Sequence, residues 1–375
     1  MFISNADSIP ALRDTFAKKI NFMRECAAKT ADPEKRKKYN GVAKFMQMKV
    51  QHTMFVHKEG MNILNSLKKS AQEAPEANAL NDANLPPVSN KEAFELTSKY
   101  LKVYNKALLW HDLGRTAEFD DHAMPTGIDH AVVSKDLAEK YTADAMVLLA
   151  IRNHGYSTNK TMYAECEAQP QFKRLTAEQK KACKIISLLV RDADKLGNWK
   201  TFVNQGINRE ITRRIKPEVF RSQVSIGDYE MDCVRSNQPI NHSRYSNFSG
   251  VQIAHMMWSS DMALQATFNA AAKGNFVKGM IDYMDEVARD DTALKIKNGE
   301  KDAFEDYSRF LEQTGEVYNI FAERGWINRD ESFNKLQRIQ SFKKRLSTPG
   351  YENPVVLTNG MQRYTQKTTA AVNER

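Results

Sequence analysis

The chain has 375 residues, 41% hydrophobic and 27% charged, with 55 Lys and Arg against 46 Asp and Glu for a net charge of +9. That length can bury a sizeable core in more than one domain, and the balance is globular, which excludes a disordered chain. The longest apolar runs, such as Ala107–Trp110, fall far short of the ~18–20 residues of a membrane span, so no membrane partner is expected.

The N-terminus mixes Asp7, Arg13 and Asp14 with isolated apolar residues and does not read as a signal peptide. Cys26, Cys166, Cys183 and Cys233 form no CxxC pair, which disfavours a disulfide framework or a structural zinc site. A cytoplasmic location is the expectation. The basic balance suits anionic partners. Basic clusters such as Lys35–Lys38 and Lys343–Arg345 are small and lack interleaved aromatics, so nucleic acid is compatible but not favoured.

In chain order, the pattern predicts an all-α protein. An N-terminal helical segment covers 1–39. Asp32-Pro33 caps a helix that runs to about Ser70, with a break near Gly41. Residues 71–90, rich in Ala, Asn and Pro, predict an exposed loop. A helix starts after Ser89 or Asn90 and ends at Asp112, and 113–126 reads as a loop. Helices follow over 128–139, 143–154 and 176–196, the last opened by a Thr176/Gln179 capping box. Further helical segments are 250–272, 275–289, 301–324 and 330–346. The tail 347–375 lacks amphipathic pattern. The expected domains are a core over 40–200 and a C-terminal helical region over 201–346.

Four of these helices each carry a potential metal ligand on the apolar face. His52 shares a stripe with Phe45, Met48, Val56 and Ile63. His111 follows Leu101, Tyr104 and Leu108, with Asp112 beside it. His154 shares a face with Val147, Ala150 and Ile151, and Asp194 with Cys183, Ile186 and Val190. A lone histidine on such a face is ordinarily a core residue bonded to backbone. A buried carboxylate, however, is costly unless paired or metal-bound, and a shared cation explains the inward aspartates and histidines together.

The run Ala107-Leu108-Leu109-Trp110-His111-Asp112-Leu113-Gly114-Arg115, with His52 upstream and Arg191-Asp192-Ala193-Asp194-Lys195-Leu196 downstream, resembles the signature of the HD-domain phosphohydrolase superfamily. The resemblance covers about 40–200 and implies an HD-type helical core. His130 and His154 match the extra histidines of its dinuclear branch. By that resemblance His52, His111, Asp112 and Asp194 hold one metal, and Asp112 bridges to a second held by His130 and His154. The ions implied are Mn²⁺ or Fe²⁺, with Mg²⁺, Co²⁺, Ni²⁺ or Zn²⁺ as alternatives.

Two such ions acidify a water and clamp phosphoryl oxygens. The expected activity is therefore hydrolysis of a phosphate ester or anhydride of a nucleotide or other phosphorylated small molecule. Asp112, Arg115 and Lys195 are the candidate catalytic residues, with Arg115 placed to meet phosphate and Arg152 a weaker candidate. No Gly-Tyr-Pro tripeptide of the cyclic-dinucleotide branch occurs. A di-iron HD-fold oxygenase uses nearly the same ligands and is the alternative, with a metal-binding interaction module third. Oligomerisation stays open.

Among the rival residues, His57 is a minority alternative to His52 as first ligand. Asp192 is expected in a salt bridge with Arg191 or Arg115. His122 reads as a solvated loop residue, and His242 and His255 carry no role. Trp199, Met256, Met257 and Trp258 read as packing. The stretch 250–272 is expected to pack on the core, or else to cover the site or a dimer face.

Overall fold

Asp32 begins the longest helix because its carboxylate accepts hydrogen bonds from the Glu34 and Lys35 amides while Pro33 supplies the first-turn φ. In the computed structural model, the described residues are 8–82, 85–156, 158–203, 225–241, 244, 247–300 and 302–327. They form an all-α protein, with three isolated bridges and no strand among them. None of the described helices is long and apolar enough to cross a membrane.

Two units are distinguished, Met1–Ile207 with Asp261–Gly274, and Asn208–Ser260 with Asn275–Arg375. The first holds α1 (Ser8–Lys29), α2 (Pro33–Glu73), α3 (Asn90–Lys99), α4 (Leu101–Trp110), α5 (His130–Ala138), α6 (Ala145–Asn153), α7 (Asn159–Ala168), a single turn α8 (Pro170–Lys173) and α9 (Ala177–Val203). The second holds α10 (Asp228–Ser236) and α11 (Phe248–Met256). The chain then returns to the first unit for α12 (Gln265–Lys273) and ends in the second with α13 (Phe276–Lys297) and α14 (Ala303–Glu323).

In the first unit, α2 packs along α1 and α9, and α4 and α6 complete the layer around them. The α2–α9 crossing is tight, since a Cβ on Gly197 would run into Val56 and stand 3.0 Å from its amide nitrogen. Only glycine there lets the backbones approach so closely. Val56 lies one turn from His52 and Gly197 one turn from Asp194, so the same crossing sets the two candidate ligands side by side.

Several expected boundaries are corrected. Gly41 does not break α2, because a Cβ there meets nothing and the helix continues. The segment after Glu73 is a loop, as expected, but exposed only in part. Ala79, Leu80, Leu85 and Val88 are buried, and antiparallel bridges join Asn78 to Ser89 and Leu80 to Leu264. The single helix expected from 90 to 112 is two, parted at Tyr100, where φ −102° and ψ 30° leave the helical region.

The helix opened by Thr176 and Gln179 has its reciprocal capping bonds at 3.0 and 3.2 Å, but runs seven residues beyond Leu196, to Val203. Helix α7 and the turn α8 were not expected. The stretch 250–272 is split by a 3-10 turn, Met257–Asp261, and its apolar side chains are buried: Ile253, Met256 and Met257 in the second unit, Met262 and Leu264 in the first. The expected helix over 330–346 and the tail 347–375 lie outside the described residues.

In the second unit, α13 packs against α11 and α14. Its core includes Phe248, Met280, Ile281, Met284, Phe310 and Phe321. Two tyrosines tie α14 to α13, Tyr307 Oη donating to Asp285 at 3.0 Å and Tyr318 Oη to Asp282 at 2.9 Å.

Candidate metal centre

Two of the histidines are placed by one device used twice. His111 follows the last residue of α4 and His154 the last residue of α6. The final carbonyls of a helix have no intrahelical donor. Each ring uses one, His111 Nδ1 donating to Leu108 O at 2.9 Å and His154 Nδ1 to Ile151 O at 2.5 Å. A carbonyl can only accept, so the proton sits on Nδ1 and the Nε2 lone pair faces the centre. That outer bond is the arrangement found behind metal-bound histidines.

Asp112 ends the α4 segment and enters the 3-10 turn Leu113–Ala117. His130 is the first residue of α5, whose start is capped by Asp129. The turn and α5 must touch to join these two residues. Gly114 permits it, because a Cβ there would clash with the His130 carbonyl and the Ser134 amide. Its own amide donates to Ser134 Oγ at 2.7 Å. This is the physical use of the glycine in His-Asp-Leu-Gly-Arg.

The six expected ligands converge. His52 Nε2 lies 2.9 Å from Asp194 Oδ1 and 3.6 Å from Asp112 Oδ2. His111 Nε2 lies 3.5 Å from Asp194 Oδ1 and 3.8 Å from Asp112 Oδ2. On the other side, His130 Nε2 and His154 Nε2 stand 3.6 and 3.8 Å from Asp112 Oδ1, and 3.3 Å from each other. The donor atoms of His52, His111 and Asp194 lie within 4.8 Å of one another, as do those of His111, Asp112 and His154.

His52, His111, Asp112 and His154 are buried, while His130 and Asp194 are about one-fifth exposed. These buried His/Asp groups can hold a metal ion. The His111 Nε2 atom is buried without a hydrogen-bond partner, as a ligand atom would be.

At every candidate ligand except His111 the electrostatics favour the ligand-competent form. Burial pushes His130 down to about 3, helped by Arg115 and His154, and pushes His154 down to about 4, helped by His111. Burial, with Lys49, also lowers His52, whereas for His111 the carboxylates of Asp112 and Asp194 outweigh burial and raise it. Burial alone would raise both carboxyls. Arg115, Lys49 and the histidines nonetheless hold Asp112 well below the usual carboxylate range, and His111 and His52 do the same for Asp194.

Arg115 lies at the centre. Its Nε donates to Asp112 Oδ1 at 3.0 Å and one terminal nitrogen to Glu118. Lys195 does not reach the cluster. Its Nζ donates to Asp261 O at 2.8 Å and pairs with the Asp261 carboxylate at 3.2 Å. Burial and neighbouring Arg191 lower it to about 8. Arg191 binds the same Asp261, so the two cations of α9 fasten the returning segment.

Asp192 forms no salt bridge to Arg191 or Arg115 among the described residues. Instead it caps the approach to α12, accepting from the Ala263 and Leu264 amides at 3.1 Å and from Thr267 Oγ1 at 2.7 Å. His57 points away from the centre, its Nε2 donating to Asn105 Oδ1 at 3.0 Å. His122 is exposed in its loop, His255 stacks edge-on with Trp258, and His242 lies outside the described residues. Trp199, Met256 and Met257 are buried packing residues.

Three neighbours of the ligands went unread in the sequence. Lys49 Nζ is 3.3 Å from Asp112 Oδ2, Glu118 holds Arg115 and lies 3.8 Å from His130 Nδ1, and Asn198 Nδ2 donates to Asp194 Oδ1 at 3.1 Å. Their spacings to His52, Arg115 and Asp194, respectively, are three, three and four residues, the one available signal. No protein-family model, no curated protein and no solved structure matches this chain.

Proposed function

We propose that this chain is a metal-dependent phosphohydrolase of the HD type, cleaving a phosphate ester or anhydride of a nucleotide or other phosphorylated small molecule. The observation that carries this reading is the division of labour at Asp112. Its Oδ2 faces His52 and His111, with Asp194 beside them, and its Oδ1 faces His130 and His154. One carboxylate addressing two separate imidazole pairs fits a bridging ligand between two cations.

The donor set suits Mn²⁺, Fe²⁺ or Zn²⁺, which accept imidazole and carboxylate together. When bound, the ions supply Lewis acidity that acidifies a water and withdraws charge from phosphoryl oxygens. The chain's own residues do the rest. His111 and His154 are held in the correct tautomer by backbone carbonyls. Asp112 and Asp194 stay ionised, and burial keeps bulk water from the rings. Arg115 spends two of its five N–H donors on Asp112 and Glu118 and is 22% exposed, which suits it to a phosphate oxygen at the rim.

The test is elemental analysis of protein purified without chelator, with a phosphate-release screen over nucleotides and sugar phosphates in Mn²⁺. About two metals per chain with release from one substrate class is the expected result. Two irons with dioxygen consumption and no phosphate release would assign a di-iron oxygenase instead. No metal after reconstitution would overturn the centre itself.

A further inference from the structure

Lys49 is buried, 8% exposed, on the α2 face that carries His52. Its Nζ stands 3.3 Å from Asp112 Oδ2 and 5.9 Å from the centroid of the Phe45 ring, one turn earlier. A buried ammonium is costly and ordinarily has a carboxylate to itself. Asp112 is not such a partner. The same Oδ2 faces His52 and His111, and Oδ1 already accepts from Arg115 Nε at 3.0 Å. Lys49 therefore leans on the oxygen that the metal-binding reading assigns to a cation.

We propose that Lys49 is a substrate-contacting residue that opposes the cation on the Oδ2 side of Asp112 and presents its ammonium to a phosphoryl oxygen of the substrate. This rests on the proposed phosphohydrolase function. An ammonium and a divalent cation sharing one carboxylate oxygen repel each other, and burial limits the screening between them. A doubly charged phosphoryl group satisfies both at once. The lysine can follow it, because its flexible stem carries three rotatable donors, while the Phe45 ring keeps a favourable face beneath the charge. The position is thus tuned to release metal more easily when phosphate is absent and to retain both when it is present.

The experiment compares wild type with Lys49→Met and Lys49→Arg. Mn²⁺ affinity is measured by competition with a chelating dye. Inorganic phosphate binding to the Mn²⁺-loaded protein is measured by calorimetry. In Lys49→Met, Mn²⁺ should bind about tenfold tighter and phosphate about tenfold weaker, with Lys49→Arg restoring most of the phosphate affinity. If Lys49→Met loses its helical circular dichroism, Lys49→Gln is read by the same two titrations. Metal affinity that falls or stays level, or phosphate affinity that does not change, would make Lys49 a purely structural partner of Asp112 and overturn the proposal. Wild type that binds no Mn²⁺ would overturn the phosphohydrolase reading as well, so the two failures are distinguishable.

Discussion

His52 Nε2 and Asp194 Oδ1 stand 2.9 Å apart although 142 residues separate them in the chain. Neither residue sits at a helix end, so no local motif aims them at each other. They meet because α2 and α9 cross where Gly197 admits Val56. The other three histidines of the cluster stand at helix termini: His111 and His154 follow the last residues of α4 and α6, and His130 begins α5.

The division of the histidines between the two oxygens of Asp112 predicts separable losses of metal. His130→Ala should leave the Oδ2 side of Asp112 intact and lower metal content from about two ions to about one. His52→Ala should remove the ion on the other side. Elemental analysis of the two variants, with circular dichroism to confirm folding, checks this. Loss of both ions from His130→Ala would mean the two positions are not independent.

Asp192 and Asp194 are neighbours on α9 with opposite tasks. Asp192→Asn removes the charge that receives two amides and a hydroxyl at the approach to α12. Stability should fall by about 1–3 kcal/mol, lowering Tm by about 3–10 °C, with full metal content. Asp194→Asn should lose metal instead. Thermal melts and metal analysis on the pair give the readout. Metal loss from Asp192→Asn at unchanged Tm would contradict this assignment.

His57 provides a pH signature apart from the metal centre. Burial lowers its pKa below the ordinary 6.5, with the Asn105 hydrogen bond opposing only in part. The native ring stays neutral where the unfolded chain already binds a proton. Its contribution to stability is therefore present above about pH 6.5 and lost as pH falls below it. Urea unfolding between pH 7 and 5 should show His57→Gln with a shallower pH dependence than wild type, by at most ~1.4 kcal/mol per pH unit. Metal content should be unchanged. An unaltered slope would mean the ring titrates alike in both states.

What the sequence determined by itself was the helical class, the caps at Asp32 and Thr176, and the side chains that face inward. These are local or periodic properties: a cap is satisfied within three residues, and a ligand on an apolar stripe must enter the core wherever the helix docks. His52, His111, His154 and Asp194, with Asp112 beside His111, were legible from such stripes, whereas His130 and the six-residue grouping entered only through the resemblance to the HD-domain signature. Partner choice was not legible. Lys195 read as a catalytic candidate and Asp192 as the partner of Arg191 or Arg115, yet α9 turns both toward the segment at 261–267, which is remote in sequence and returns after an excursion into the second unit.

Lys49 and Glu118 were not singled out in the sequence: Lys49 shares the stripe of Phe45, His52 and Val56 but nothing local names its partner, and Glu118 falls in the stretch 113–126 expected as a loop. Burying Lys49 against Asp112 required α2 and the end of α4 to be brought together. Tertiary structure alone also assigned each oxygen of Asp112 to a different pair of histidines. That assignment depends on helix crossings and glycine contacts, such as those at Gly114 and Gly197, whose partners lie far along the chain.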